Sequence, residues 1–152
     1  AHLGASPSFH QDNLSRSKPW TLRGLHYQYP TPQGKLVSCI RGAIYDVIVD
    51  LREGSPTLHQ WRACHLKAET GQQLWIPEGM AHGFLALSEG ADVLYKVTSP
   101  YTPAHERSIR WDDPTLNIPW PLPPGPAPLI SPKDHPGSPL ERAALFQPAL
   151  PS

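Results

Sequence analysis

The chain has no apolar segment approaching the roughly 20 residues that cross a bilayer as a helix, and its start shows no basic stretch followed by an apolar one. A membrane span and a cleaved leader are therefore not expected. Charge of one sign is also missing: thirteen Lys and Arg balance thirteen Asp and Glu, with no basic run. A surface that gathers the phosphates of nucleic acid or of an anionic membrane needs such a run, so neither partner is expected. The sequence reads as that of a soluble, cytoplasmic protein. Cysteine is scarce. Cys39 and Cys64 are the only two, both within apolar runs, and they read as small buried hydrophobes rather than as a disulfide or metal pair. No stretch carries a capped helical period, apart from a weak turn over residues 139–146.

What the chain has in excess is proline. Its twenty prolines lie well above the usual share of about 5%, and twelve of them fall between Pro114 and Pro151. A length of 152 residues fits a single domain whose core folds without staples. Residues 1–152 are accordingly expected to form one domain, with a patterned body over about 8–111 and a proline-rich C-terminal segment over 112–152. The end of that segment fits either a mobile end or a strap over the surface.

Within the body the dominant period is two. Ala43, Tyr45, Val47, Val49 and Leu51 share one face, with Asp46 and Asp50 on the other, which predicts a strand with one buried side. Similar runs occupy residues 36–40, 60–66, 73–76, 83–87 and 92–98, and glycine-bearing pairs such as Arg41-Gly42, Glu53-Gly54 and Glu89-Gly90 punctuate them. Many short strands at regular spacing predict an all-β fold, an antiparallel jelly-roll barrel or sandwich.

Two stretches carry chemistry. In Leu22-Arg23-Gly24-Leu25-His26-Tyr27-Gln28, followed by Gln33-Gly34-Lys35-Leu36-Val37, a histidine and a lysine stand nine residues apart among strand formers and glycines. Two strands joined by a short loop could point both into one pocket, which makes a proton-transfer site conceivable. In Trp75-Ile76-Pro77-Glu78-Gly79-Met80-Ala81-His82-Gly83-Phe84, a proline-glycine turn delivers a histidine at a strand start, the arrangement of the second motif of cupin barrels. A turn at residues 88–91 would pair Phe84 with Tyr95 and turn His82, Phe84, Val93 and Tyr95 to one face. Many cupins hold a metal through histidines and a carboxylate, but His26-Tyr27-Gln28 lacks the second ligand at the required spacing, so no metal site is expected. His82 then reads as a polar pocket residue or as a satisfied core histidine.

These motifs, together with Gln11-Asp12-Asn13, Asp46-Val47, Val49-Asp50-Leu51-Arg52, Leu94-Tyr95-Lys96, Tyr101-Thr102-Pro103, Trp111-Asp112-Asp113-Pro114, Ile118-Pro119-Trp120-Pro121 and Ser131-Pro132-Lys133-Asp134, resemble the dTDP-4-dehydrorhamnose 3,5-epimerases of the cupin superfamily, in that family's order. The resemblance implies a homodimeric enzyme that inverts C3, C5 or both of a dTDP-4-keto-6-deoxyhexose and needs no cofactor. It matches His26 to the general base, Asp134 to the carboxylate orienting it, Lys35 to the cation beside the ketone oxygen, and Tyr95 to the acid on the opposite face. Arg23 matches a diphosphate contact. Gln11 and Asn13 match nucleotide contacts, Tyr101 falls near the nucleotide end, and His82 joins the substrate-binding set. Period-two counting puts Arg23 and His26 on opposite faces, so the pocket requires a bulge near Gly24 or a diphosphate reached from the strand's end. Family members carry a further stretch before the position of Gln11 that reaches across a subunit boundary toward the nucleotide, and nothing like it stands here. Either the sequence given begins late, or this is a short relative whose nucleotide contacts are incomplete. Pro100 also stands where the family often has an aromatic residue, which could loosen substrate selection.

Overall fold

Two long strands carry the architecture. The computed structural model describes residues 6–134 and 136–148, and within it β3 (Lys35–Asp50) and β6 (Met80–Val97) run antiparallel along their whole lengths, from Lys35 opposite Val97 to Asp50 opposite Met80. Against one half of this ribbon lie β1 (Gln11–Ser17), paired to β6, and β5 (Gln73–Ile76), paired to β3. Against the other half lie β2 (Thr21–Gln28) on β6 and β4 (Trp61–Lys67) on β3, with β7 (Glu106–Ser108) extending the sheet beyond β2. The strand β8 (Leu129–Ile130) joins β2 in parallel. Among the described residues the only helical pieces are three-residue 3₁₀ turns. The expected all-β jelly roll is thus present, as two sheets sharing two bent strands.

The bend departs from the expected punctuation. Arg41-Gly42 and residues 88–91 read as hairpin turns, yet both lie inside continuous strands. Phe84 does not pair with Tyr95. It stands opposite Arg23 and Asp46, while Tyr95 stands opposite Asn13 and Val37. Turn-forming residues serve a hairpin and a bulge equally well, and the distant partner strand decides between them. Here Gly42 (φ 74°) and Gly90 (φ 71°) meet at the corner, where a Cβ on Gly42 would lie 2.0 Å from the Gly90 carbonyl oxygen. No other residue fits that approach.

The corner also switches faces. Between the pairs Gly42–Ala91 and Ile44–Ala86, only Ala43 intervenes on β3, but residues 87–90 intervene on β6. An odd excess on one strand exchanges its inward and outward sets. Ala91 and Val93 therefore share an interior cluster with Phe84 and Ala86, and the extra residue Ile40 on β3, between the pairs Cys39–Val93 and Arg41–Asp92, likewise lets Val37 and Cys39 share it with Ile44. For the same reason His82, Phe84 and Tyr95 all reach the interior although they are not cross-strand neighbours.

Asp46 and Asp50 require a second correction. They read as the solvent face of a one-sided strand, but both are buried. Beyond Gly42 the even side of β3 faces the barrel interior, and the odd side is covered by the proline-rich segment. Val47, Val49 and Leu51 pack with Leu116, Ile118, Leu140 and Phe146, each buried apolar side chain contributing about 1.5–3 kcal/mol. Polar anchors fix this cover: the Asp113 carboxylate accepts the N–H groups of Thr115 and Leu140, both at 2.9 Å, Trp61 Nε1 donates to the Leu116 carbonyl at 2.9 Å, and Phe146 N donates to the Leu51 carbonyl at 2.9 Å. Asp50 is satisfied by Arg52, Ser55 and Thr57.

Candidate active site

A cleft of about 240 Å³ opens into the barrel, and seven of the nine residues singled out in the sequence line it: Asn13, Arg23, His26, Lys35, His82, Tyr95 and Tyr101. Asp134 stands behind His26 instead, and Gln11 lies beside Tyr101.

The strand β2 brings Arg23 and His26 to the same cavity through the irregularity that period-two counting required. Its register to β6 shifts between Arg23 and His26, where Gly24 adopts φ 97° and a Cβ would sit 2.6 Å from the His82 carbonyl oxygen. Arg23 donates from Nε to Ser17 Oγ at 2.8 Å. His26 Nε2 hydrogen-bonds the Asp134 carboxylate, and the second oxygen of that carboxylate accepts the Gly24 N–H at 3.4 Å. Asp134 closes a 3₁₀ turn (Pro132–Asp134) and its side chain is 1% exposed, against 21% for His26. Burial pushes the Asp134 carboxyl up, but the hydrogen bond and charge of His26, the Gly24 N–H and Lys133 outweigh it, and the carboxyl settles below its ordinary value. A charged carboxylate fixed behind a partly open imidazole orients the ring and stabilises the imidazolium that forms when the ring takes a proton.

Lys35 opens β3 and is buried. Burial lowers its ammonium to about 8, against the opposing pull of Asp46 and Glu106, with Lys133 adding to the lowering. Its Nζ stands 6.0 Å from the centroid of the Tyr95 ring. Burial raises the Tyr95 hydroxyl, with Arg23 opposing and Glu106 adding, so at neutral pH the group stays protonated. His82 Nε2 lies 2.8 Å from Asp46 Oδ2. Burial lowers the imidazole more than Asp46 raises it, which favours the neutral ring.

Several groups in or beside the cleft were not singled out in the sequence. Glu106 accepts the Tyr101 hydroxyl at 2.7 Å and faces Lys133 Nζ at 3.5 Å, and its hydrogen bond pushes the Tyr101 hydroxyl up to about 12. Gln28 accepts the Thr102 N–H at 2.7 Å and Gln33 donates to the Ser99 carbonyl at 2.7 Å, fastening the loop that carries Tyr101, whose N–H goes to Gln11 Oε1 at 2.9 Å. Lys133 adjoins Asp134, and both glutamines fall within the matching motifs, so adjacency could have found them. Glu106 has no such signal. Among the described residues, no three His, Cys, Asp or Glu side chains converge as a metal ligand set.

The sequence profile described as dTDP-4-dehydrorhamnose 3,5-epimerase matches residues 1–142. The chain belongs to the dTDP-4-dehydrorhamnose 3,5-epimerase family. It is 53% identical to the dTDP-4-dehydrorhamnose 3,5-epimerase of Pseudomonas aeruginosa over 94% of this chain and 78% of that protein. Among solved structures, it resembles the dTDP-6-deoxy-D-glucose-3,5-epimerase of Legionella pneumophila in complex with dTDP-4-keto-L-rhamnose, with a TM-score of 0.90 and 48% identity, covering 96% of this chain and 78% of that one. A 3′-monoepimerase from Streptomyces bikiniensis in complex with dTDP-quinovose is similar at a TM-score of 0.80 and 37% identity, covering 88% of this chain and 67% of that one. Both a 3,5-epimerase and a 3′-monoepimerase are thus among the solved structures that this chain resembles.

Proposed function

We propose that the cleft binds a dTDP-4-keto-6-deoxyhexose and inverts C3, C5 or both, as a step of deoxysugar biosynthesis. The reading is supported chiefly by the division of groups between the two sheets. His26 stands on the sheet of β2, whereas Lys35 and Tyr95 stand on the sheet shared with β1 and β5, so that base and acid approach one cavity from different walls. In the proposed reaction His26 removes a proton from a carbon next to the ketone, with Asp134 stabilising the imidazolium. The electron pair left behind moves toward C4, and the ketone oxygen becomes an enolate. The Lys35 ammonium stabilises that oxygen, an interaction that can supply several kcal/mol in a site closed to water. Tyr95 then gives its proton to the same carbon from the opposite face, inverting the centre; His26 releases the abstracted proton to solvent and Tyr95 takes one up, which restores both groups. The ketone itself acidifies the protons, and no cofactor is called for. Arg23 would hold the diphosphate, Gln11, Asn13 and Tyr101 the nucleotide, and His82 a polar position on the sugar.

We propose further that the chain works as one domain and as a cytoplasmic homodimer. The proline-rich segment contributes to the same core as the strands, and Leu14 and Ile40, 65% and 52% exposed, leave apolar side chains on the outer sheet that a second copy could cover. A monomeric mass by light scattering at micromolar concentration would remove the dimer. The test of the activity is NMR of the keto sugar in deuterated buffer. The enzyme should wash deuterium into C3, C5 or both and yield inverted product, and binding without label would leave only an idle sugar-nucleotide-binding cupin.

A further inference from the structure

Arg23 is a cation held without an anion. Its side chain lines the cleft, and among the described residues its hydrogen-bond partners are two uncharged oxygens. Ser17 Oγ accepts from Nε at 2.8 Å, and the Arg16 carbonyl accepts from Nη2 at 3.3 Å. The nearby Arg16 and Arg41 side chains behave otherwise, both giving their charge to Asp92, at 3.1 and 3.2 Å. A long side chain at a cleft loses rotamer freedom when it meets a ligand, and a contact that orders it beforehand reduces that cost. A carboxylate would order it too, but would compete with an arriving phosphate for the same fork. A hydroxyl orders the guanidinium and leaves its charge for the ligand.

The serine is fixed by the corner of the barrel. Ser17 ends β1 opposite Ala91 and is 2% exposed. Its carbonyl lies 2.6 Å from where a Cβ on Gly90 would stand, so only a bare corner admits it. The chain then turns directly into β2, with Trp20 N donating to the Ala86 carbonyl at 2.9 Å and Thr21 N to the Lys18 carbonyl at 3.2 Å. A buried hydroxyl is unfavourable unless bonded, and the bond that satisfies this one runs to Arg23.

We infer that Ser17 is a positioning residue that presets the Arg23 guanidinium for the substrate's diphosphate while leaving its charge unshared. The assignment rests on the proposed role of Arg23 as the diphosphate contact. With Nε and Nη2 engaged by β1, the remaining N–H donors of the fork are the ones open to phosphate oxygens. The diphosphate is remote from C3 and C5 and unchanged by the reaction, so this contact stabilises bound substrate and transition state alike. Its loss therefore raises KM and spares kcat.

The test is Ser17→Ala, with affinities for dTDP and for thymidine, which lacks the diphosphate, measured by NMR titration. The variant should bind dTDP about tenfold more weakly, the scale of one hydrogen bond to a charged group, and thymidine as wild type does. KM for the keto sugar should rise about tenfold with kcat within about twofold. Arg23→Met should weaken dTDP about a hundredfold, and adding Ser17→Ala to it should change nothing more. Should alanine prevent folding, Ser17→Cys keeps the size, accepts only weakly and should give the same pattern at smaller amplitude. Full dTDP affinity in folded Ser17→Ala overturns the inference. Equal weakening of thymidine overturns it as well, and so does an undiminished Ser17→Ala effect in the Arg23→Met background, since either marks a general disturbance of the cleft. If Arg23→Met itself binds dTDP like wild type, the diphosphate role of Arg23 fails and takes the inference with it. Loss in Arg23→Met beside full affinity in Ser17→Ala strikes Ser17 alone, so the two readings fail separately.

Discussion

The cleft holds the same pair of side chains twice, and the two copies differ in almost everything but composition. His26 and Asp134 come from β2 and from a 3₁₀ turn 108 residues later, and the histidine keeps 21% of its side chain exposed at the cleft. His82 and Asp46 come from neighbouring strands within the barrel, and their side chains are 6% and 0% exposed. Burial lowers the His82 imidazole, whereas Asp134 remains a ready carboxylate behind an accessible ring. A histidine beside an aspartate is therefore not a mechanism in itself. The open pair is able to pass protons to and from a ligand, and the closed pair is able to hold a charge still.

His26→Ala breaks this comparison most severely. The rate should fall on the order of 10³-fold to 10⁴-fold, with label lost at both carbons by NMR in deuterated buffer; retained exchange would move the base elsewhere. Tyr95→Phe comes next. Inversion should fall on the order of 10³-fold while exchange continues, because His26 and Lys35 still form the enolate but no proton arrives from the far wall. The phenyl ring keeps its packing, so the melting temperature should barely move. Asp134→Asn should lower kcat by about 10²-fold, the low end of what a positioned base contributes and less than loss of the base itself. His82→Leu inverts the pattern. Its main expected effect is on stability, a loss of about 1–3 kcal/mol from stranding Asp46, visible as a lower melting temperature. If that variant melted like wild type yet lost activity as deeply as His26→Ala, the two pairs would be functionally alike.

The smallest effect concerns the lysine between the pairs. Lys35 is lowered from the ordinary lysine range to about 8, so below that pH the folded state carries a charge that the unfolded chain holds more easily. The unfolded chain binds more protons between about 8 and the ordinary lysine value, and this contribution to stability therefore improves as pH rises through that window. Lys35→Met should accordingly melt higher than wild type at pH 7, by about 1–2 kcal/mol, with the gap narrowing by pH 10 in thermal scans. A constant gap across that range would trace the gain to packing alone.

Much of this was legible in the sequence, for identifiable reasons. His26 and Lys35 sit within short motifs whose glycines mark close backbone approach, and Gly24 supplies the shift that reconciles Arg23 with His26. Tyr95 was turned inward on a pairing with Phe84 that does not exist; the bend at Gly42 and Gly90 brings both inside by another route. Asp46 was placed toward solvent because a period of two cannot tell a strand covered on both sides from one covered on a single side when its polar residues have buried partners. Glu106 was missed because only the folded chain brings it to Tyr101 and Lys133.

The distance of Asp134 from His26 along the chain has a temporal meaning. A barrel emerging from the ribosome can close β3 on β6 and form a recognisable cavity before residue 134 exists, yet the imidazole that would do chemistry has nothing behind it until the strap is laid down. Contacts so far apart in sequence are late to form. In refolding, recovery of fluorescence from Trp75 on β5, in a variant whose other tryptophans are replaced by phenylalanine, should lead recovery of turnover, and the interval between them would time the arrival of Asp134. Competence here waits on a carboxylate supplied 108 residues after the base, so forming the cleft and arming it are separate events.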